Sequence, residues 1–120
     1  MKILLADDHP LIRQGLRQMM ADYGIIATVS EAGDGPETVR KVKEWDPDVV
    51  LLDIHMPGKN GLQVLREIRQ ERPGLPVLLM SLLAEKEFAL GAIREGAAGY
   101  ISKDSPPDEL ISAIRRVIGG

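Results

Sequence analysis

Five short apolar runs, separated by longer segments with helical periodicity, are the feature that most restricts how this chain can fold. The runs fall at residues 3–6, 25–29, 49–52, 77–80 and, more weakly, 100–101. Between and after them, apolar residues recur three and four positions apart, as a helix with one buried face requires. This spacing predicts helices at about residues 11–23, 36–45, 62–69, 85–95 and 107–118. Regular alternation of strand and helix implies a parallel sheet with helices on both faces. The first, third and fourth runs are apolar without alternation, as expected of strands covered on both sides. The expectation is a single α/β domain over residues 1–120, a doubly wound five-stranded parallel sheet with five helices.

Local signals agree with this partition. Pro10 stands where a first helical turn tolerates proline. On the first helix Ile12, Leu16, Met19, Met20 and Tyr23 share one face. Asp34 and Glu37 form a capping pair for the second helix, and Ser105 with Asp108 is expected to do the same for the fifth. Pro73 ends the third helix and Gly96 the fourth. Only 3% of residues are aromatic while 44% are hydrophobic, so the core must be aliphatic. The absence of cysteine excludes thiol catalysis, disulfides and a cysteine zinc site. The apolar run at residues 3–6 is too short for a secretion signal or a membrane span, so a cytoplasmic location without a membrane partner is expected. A net charge of -3 does not suit direct nucleic-acid binding; any action on DNA would require another segment.

The chemistry is carried by where the polar residues fall. Asp7 and Asp8 follow the first strand, Asp53 ends the third, Ser81 ends the fourth, and Lys103 follows the fifth. All five therefore lie at carboxyl ends of parallel strands, the edge at which open α/β sheets bind ligands. Carboxylates gathered there repel: two unit charges ~4 Å apart cost roughly 4 kcal/mol at an effective dielectric of ~20. Protonation or a bound cation must compensate. Hard oxygen donors favour Mg²⁺. A cation among carboxylates, a lysine and a hydroxyl is equipment for phosphoryl transfer, in which catalysis is mostly positioning and charge neutralisation. A carboxylate can be the nucleophile, forming an aspartyl phosphate. Asp53, at the end of a strand buried on both faces, is the better-placed acceptor, leaving Asp7 and Asp8 to hold the metal. The turn-forming stretch at residues 54–61 lets the backbone curl over the site, so that the His55 carbonyl can reach the metal.

Taken together, Asp7-Asp8, the Asp53-Ile54-His55-Met56-Pro57-Gly58-Lys59-Asn60-Gly61 stretch, Ser81 and Lys103 resemble the response-regulator receiver family over the whole chain. The resemblance implies a flavodoxin-like strand order of 2-1-3-4-5, with Asp7, Asp8 and Asp53 converging on one spot. It implies phosphorylation of Asp53 by a histidine kinase or a small phosphodonor. Asp8 would be the closer Mg²⁺ ligand beside Asp7, Ser81 would engage the phosphoryl group, Lys103 would pair with it, and Tyr100 would be the switch aromatic. Residues 97–104 are similar to receivers that precede a C-terminal helix-turn-helix domain, with Gly119-Gly120 where a linker would begin. Activation would then promote a homodimer through a surface including Phe88, Ile93, Tyr100 and Ile111. The chain departs from the family pattern at two places. Asp104 replaces the proline that often follows the lysine, and Leu82 and Leu83 stand where small residues are common.

Plainer roles compete for several residues. Asp8 is well placed to cap the first helix. His9 and His55 read as surface residues without a metal role, Trp45 as structural, and Arg115 and Arg116 as a solvated face. Two other functions are weaker. A haloacid-dehalogenase-type phosphatase wants a carboxylate at the position held by His55. A flavodoxin-type flavin carrier wants a Ser/Thr/Gly-rich loop where Asp7-Asp8-His9-Pro10 stands. A nucleotide-binding P-loop motif is absent.

Overall fold

The computed structural model describes residues 1–58, 60–81 and 86–119, with the side chains of residues 86–89 left aside. Five strands and five helices alternate: β1 (Lys2–Ala6), α1 (Pro10–Asp22), β2 (Thr28–Ala32), α2 (Gly35–Trp45), β3 (Val49–Asp53), α3 (Gly61–Glu71), β4 (Val77–Ser81), α4 (Lys86–Arg94), β5 (Gly99–Ser102) and α5 (Pro107–Ile118). The strands form one sheet in the order β2-β1-β3-β4-β5, every pair parallel.

Strand side chains point to opposite faces in turn, and here they feed two cores. Leu4, Ala6, Val50, Leu52, Val77 and Leu79 pack with Val42 of α2, Val64, Leu65 and Ile68 of α3, and Ala92 of α4. Ile3, Leu5, Val49, Leu51, Leu78 and Met80 pack on the other side with Leu16 and Met20 of α1 and Ile111, Ile114 and Val117 of α5. Burial on both faces makes β3 and β4 continuously apolar up to their last residues. Those last residues are Asp53 and Ser81.

The second strand lies three residues beyond the expected run. Residues 25–27 form the connection that follows Gly24, whose φ of 78° closes α1, and Ile26 is 92% exposed. The strand proper begins at Thr28, whose N–H donates to the Met1 carbonyl. As an edge strand it keeps the polar residues Ser30 and Glu31. The expected Ser105 cap is also corrected. The residue before α5 is Pro106, with no side-chain cap, while the Ser105 N–H is spent on Ser102 in the preceding turn. A Pro106-Pro107 pair fixes the backbone entry to the helix and has no N–H groups to satisfy. Asp8 does not cap α1 either, because the capping position is His9, again without a side-chain cap. Asp34 behaves as expected, accepting from the Glu37 N–H at 2.8 Å. At α3 the sequence carried an unread signal: Asn60 and Gln63 form a reciprocal capping box. Tyr23, expected on the buried face of α1, is partly exposed at its end.

Trp45 lies at the amino-terminal edge of the sheet, its ring 5.5 Å from the Lys2 ammonium. It is thus at the opposite edge from Asp53. Among the described residues no helix is long and apolar enough to cross a membrane.

Gly61 returns the β3–α3 loop onto the sheet. Its N–H donates to the Ile54 carbonyl at 2.8 Å, and a Cβ there would lie 2.6 Å from the Ile54 Cα. Gly61→Ala is expected to destabilise the domain by about 1–3 kcal/mol in urea unfolding. Gly15, exposed within α1, has open space around it. Gly15→Ala is expected to stabilise by about 0.5–1 kcal/mol. Equal effects at the two positions would contradict the backbone contact at Gly61.

Candidate functional site

The carboxyl edge of β1, β3 and β5 gathers the expected side chains. Asp7 and Asp53 are 0% and 2% exposed, and the Lys103 side chain is 4% exposed. Lys103 Nζ lies 2.5 Å from Asp7 Oδ2 and 2.9 Å from Asp53 Oδ2, so one ammonium spans two strands' worth of carboxylate. Its placement is set by the backbone. The Lys103 N–H donates to the Ser81 carbonyl at 2.6 Å, continuing the β4–β5 ladder one step past Ser102. Likewise the Ile54 N–H donates to Met80, and the Asp7 N–H to Ala32. The His55 N–H donates to Asp53 Oδ1 at 3.1 Å. The backbone after β3 therefore curls as the turn residues implied.

Burial pushes the Asp53 carboxyl above its ordinary range. The Lys103 ammonium and the His55 N–H oppose that rise without cancelling it, and the charge of Asp7 adds to it. Asp8 is half-buried beside this group and lines a cavity of about 490 Å³ with Ile54, His55, Pro57, Asn60 and Gln63. Three carboxylates face one ammonium, leaving excess negative charge where Asp7 and Asp53 are shut off from water and Asp8 meets the open cavity. Asp7 Oδ2 and Asp53 Oδ2 are buried against the Lys103 ammonium, and Asp8 Oδ1 lies 3.0 Å from His9 Nδ1. Carboxylate oxygens that outnumber the cations pairing with them suit a hard divalent cation.

The sequence and fold of the chain match those of known proteins. The family model for the response regulator receiver domain matches residues 3–115. The chain belongs to the response regulator receiver family. Response regulator GacA of Pseudomonas syringae pv. syringae (strain B728a) is 38% identical over 119 residues, covering 99% of this chain and 56% of that protein. The nitrate/nitrite response regulator protein NarL of Escherichia coli (strain K12) is 36% identical over 118 residues, covering 98% and 55%. The receiver thus spans about half the length of the curated relatives it matches. Among solved structures, a LuxR-family two-component response regulator from Aurantimonas sp. SI85-9A1 superposes with a TM-score of 0.93 at 38% identity, covering 99% of this chain and 85% of that one. The receiver domain of a NarL-type regulator from Mycobacterium tuberculosis gives a TM-score of 0.90 at 36% identity, covering 99% and 96%.

Within this receiver, Asp7, Asp8, Asp53 and Lys103 converge as expected. Ser81 is buried at the end of β4, one residue beyond the partner of Asp53 in the sheet. Tyr100 is half-buried on β5 and packs against the core shared with α2, α3 and α4. Leu82, Leu83 and the Phe88 side chain lie outside the described residues. Of the expected dimer surface, Ile93 is exposed, but Ile111 is buried in the core and cannot take part. The apolar stripe Leu110, Ile111, Ile114 and Val117 turns that side of α5 inward.

Two residues were missed. Arg13 of α1 donates to the Asp7 carbonyl and, through Nε, to Glu31 at 2.5 Å, tying the loop after β1 to β2. Burial raises the Glu31 carboxyl, but Arg13 and Arg17 outweigh it and hold the group below its ordinary range. His9 places Nδ1 3.1 Å from Asp7 Oδ1 and 3.0 Å from Asp8 Oδ1. Its position directly after two aspartates was the legible signal.

Removing one member of a buried ion cluster leaves uncompensated charge. Lys103→Met in metal-free buffer is expected to cost about 3–5 kcal/mol of stability, measured by urea unfolding. Adding Asp53→Asn is expected to restore a large part of that loss. Simple additivity of the two substitutions would show that the Lys103–Asp53 contact carries no coupling.

Proposed function

We propose that Asp53 is the phosphoryl acceptor of this receiver and that its phosphorylation switches an output surface. The observation that carries the reading is the Lys103 ammonium held against both Asp7 and Asp53 inside a buried acidic cluster. A carboxylate oxygen of Asp53 attacks the phosphorus of a phosphohistidine on a histidine kinase. A P–O bond forms, the P–N bond breaks, and the departing imidazole nitrogen keeps the electron pair and takes up a proton. Lys103 and the His55 N–H favour the ionised carboxylate that attack requires, against the effect of burial.

Asp7, Asp8 and Asp53, with the His55 backbone carbonyl, would hold Mg²⁺, which when bound neutralises charge on phosphoryl oxygens. Lys103 pairs with a phosphoryl oxygen, exchanging part of its contact with Asp53 for a contact with the new group. The Ser81 hydroxyl donates to another, and Tyr100 follows as Ser81 moves, biasing a pre-existing second conformation. The chain is a phospho-acceptor with slow self-dephosphorylation rather than a turnover enzyme. It acts in the cytoplasm. Through a C-terminal helix-turn-helix domain outside these residues it controls DNA binding, and a homodimer forms on phosphorylation through a face that includes Ile93 and Tyr100.

Acetyl phosphate with Mg²⁺ is expected to add one acid-labile phosphoryl mass to the wild type, and none to Asp53→Asn or in the presence of a chelator. Intact mass is the readout, since Trp45 lies at the far edge of the sheet. A wild type that gains no phosphoryl group from acetyl phosphate or from a phosphorylated histidine kinase would sink the reading.

A further inference from the structure

We propose that His9 is an imidazole arm of the acidic centre, making it a mixed carboxylate–imidazole chelate that takes transition-series divalent cations such as Ni²⁺. The inference rests on the reading of this centre as a divalent-cation site and adds a donor of a different class to it. One ring nitrogen of His9 and one carboxylate oxygen each from Asp7, Asp8 and Asp53 all lie within 4.8 Å of one another. Nδ1 is 3.1 Å from Asp7 Oδ1 and 3.0 Å from Asp8 Oδ1. Two donors each about 2.1 Å from an ion and at right angles to it lie about 3 Å apart, so both separations match neighbouring positions around one cation.

The turn is built to keep the ring there. The His9 N–H donates to Asp7 Oδ1 at 2.9 Å, closing a short loop between the two residues before Pro10 opens α1. The ring itself is 57% exposed, so it can adjust to an arriving ion without disturbing the core. A second observation points to a cation. Asp7 and Asp53 are almost wholly buried, and the one Lys103 ammonium that pairs with both leaves three carboxylates, with that of Asp8, in excess of positive charge.

Donor class then decides which cations benefit. Mg²⁺ prefers oxygen ligands and retains its waters, so an imidazole adds little to its binding. Imidazole suits Ni²⁺, Cu²⁺ and Zn²⁺, which also stand higher in general affinity for mixed sites. His9 should therefore separate the two classes of ion, strengthening one and leaving the other nearly unchanged.

Calorimetric titration of the untagged chain with Mg²⁺ and, separately, with Ni²⁺ tests this in the wild type and His9→Gln. Glutamine at position 9 can still hydrogen-bond the two carboxylates, so a purely structural role would survive. His9→Gln is expected to weaken Ni²⁺ binding by about tenfold or more and Mg²⁺ binding by less than about twofold. Unchanged Ni²⁺ affinity in His9→Gln would overturn the proposal. So would an equal loss for both cations. A wild type that binds Ni²⁺ through His9 but does not bind Mg²⁺ would support the imidazole arm and overturn the magnesium reading instead.

Discussion

The contact of Lys103 with Asp7 and Asp53 is the interaction around which the carboxyl edge of the sheet is organised. Two carboxylates as buried as these could not both stay ionised without a nearby cation. One ammonium reaches both, because β1 and β3 are neighbours and Lys103 is carried just past the end of β5. Even so, with Asp8 at the rim, the negative charge exceeds the positive. The domain therefore holds an electrostatic deficit at one edge, and that deficit is what makes the edge responsive to cations and to phosphoryl groups.

The rest of the fold supplies the rigidity such a cluster needs. Asp53 ends a strand whose preceding residues are divided between two aliphatic cores, so its backbone cannot shift without disturbing both. The loop after β3 is pinned by the Gly61 N–H on Ile54, and the loop after β1 by Arg13 on the Asp7 carbonyl. Lys103 is registered by its N–H on Ser81, the residue proposed to sense the phosphoryl group. The proposed sensor and the charge partner of Asp53 are thus joined by a backbone hydrogen bond.

Most of this was legible in the sequence because it follows from position along strands. Apolar runs ended by Asp53 and Ser81, and a lysine just past the last run, define the edge without any knowledge of angles. The strand order came from resemblance, since periodicity says nothing of which strands are neighbours. Where the sequence misled, local chemistry was overridden by tertiary contact. The apolar residues Ile25 to Ala27 read as a strand, yet pairing with β1 placed the strand on Thr28 to Ala32, whose polar side chains are tolerated at an edge. Ser105 read as a cap, but Pro106 holds the position before α5 and has no side-chain acceptor. Ile111 read as surface until α5 was seen to bury that position. Arg13 was invisible as a site residue because a single polar residue near a helix start has many ordinary uses, and His9, although it follows two aspartates, read as a surface residue; their distances to Asp7 distinguish them.

The most direct test of the charge deficit is the melting temperature of the chain as a function of Mg²⁺ at constant ionic strength, in the wild type and in Asp8→Ala. Cation binding to the folded state alone should raise the wild-type melting temperature along a saturating curve. The rise should be strongly reduced in Asp8→Ala. A flat wild-type curve, or an equal rise in both proteins, would contradict the view that the acidic edge is completed by a bound divalent cation.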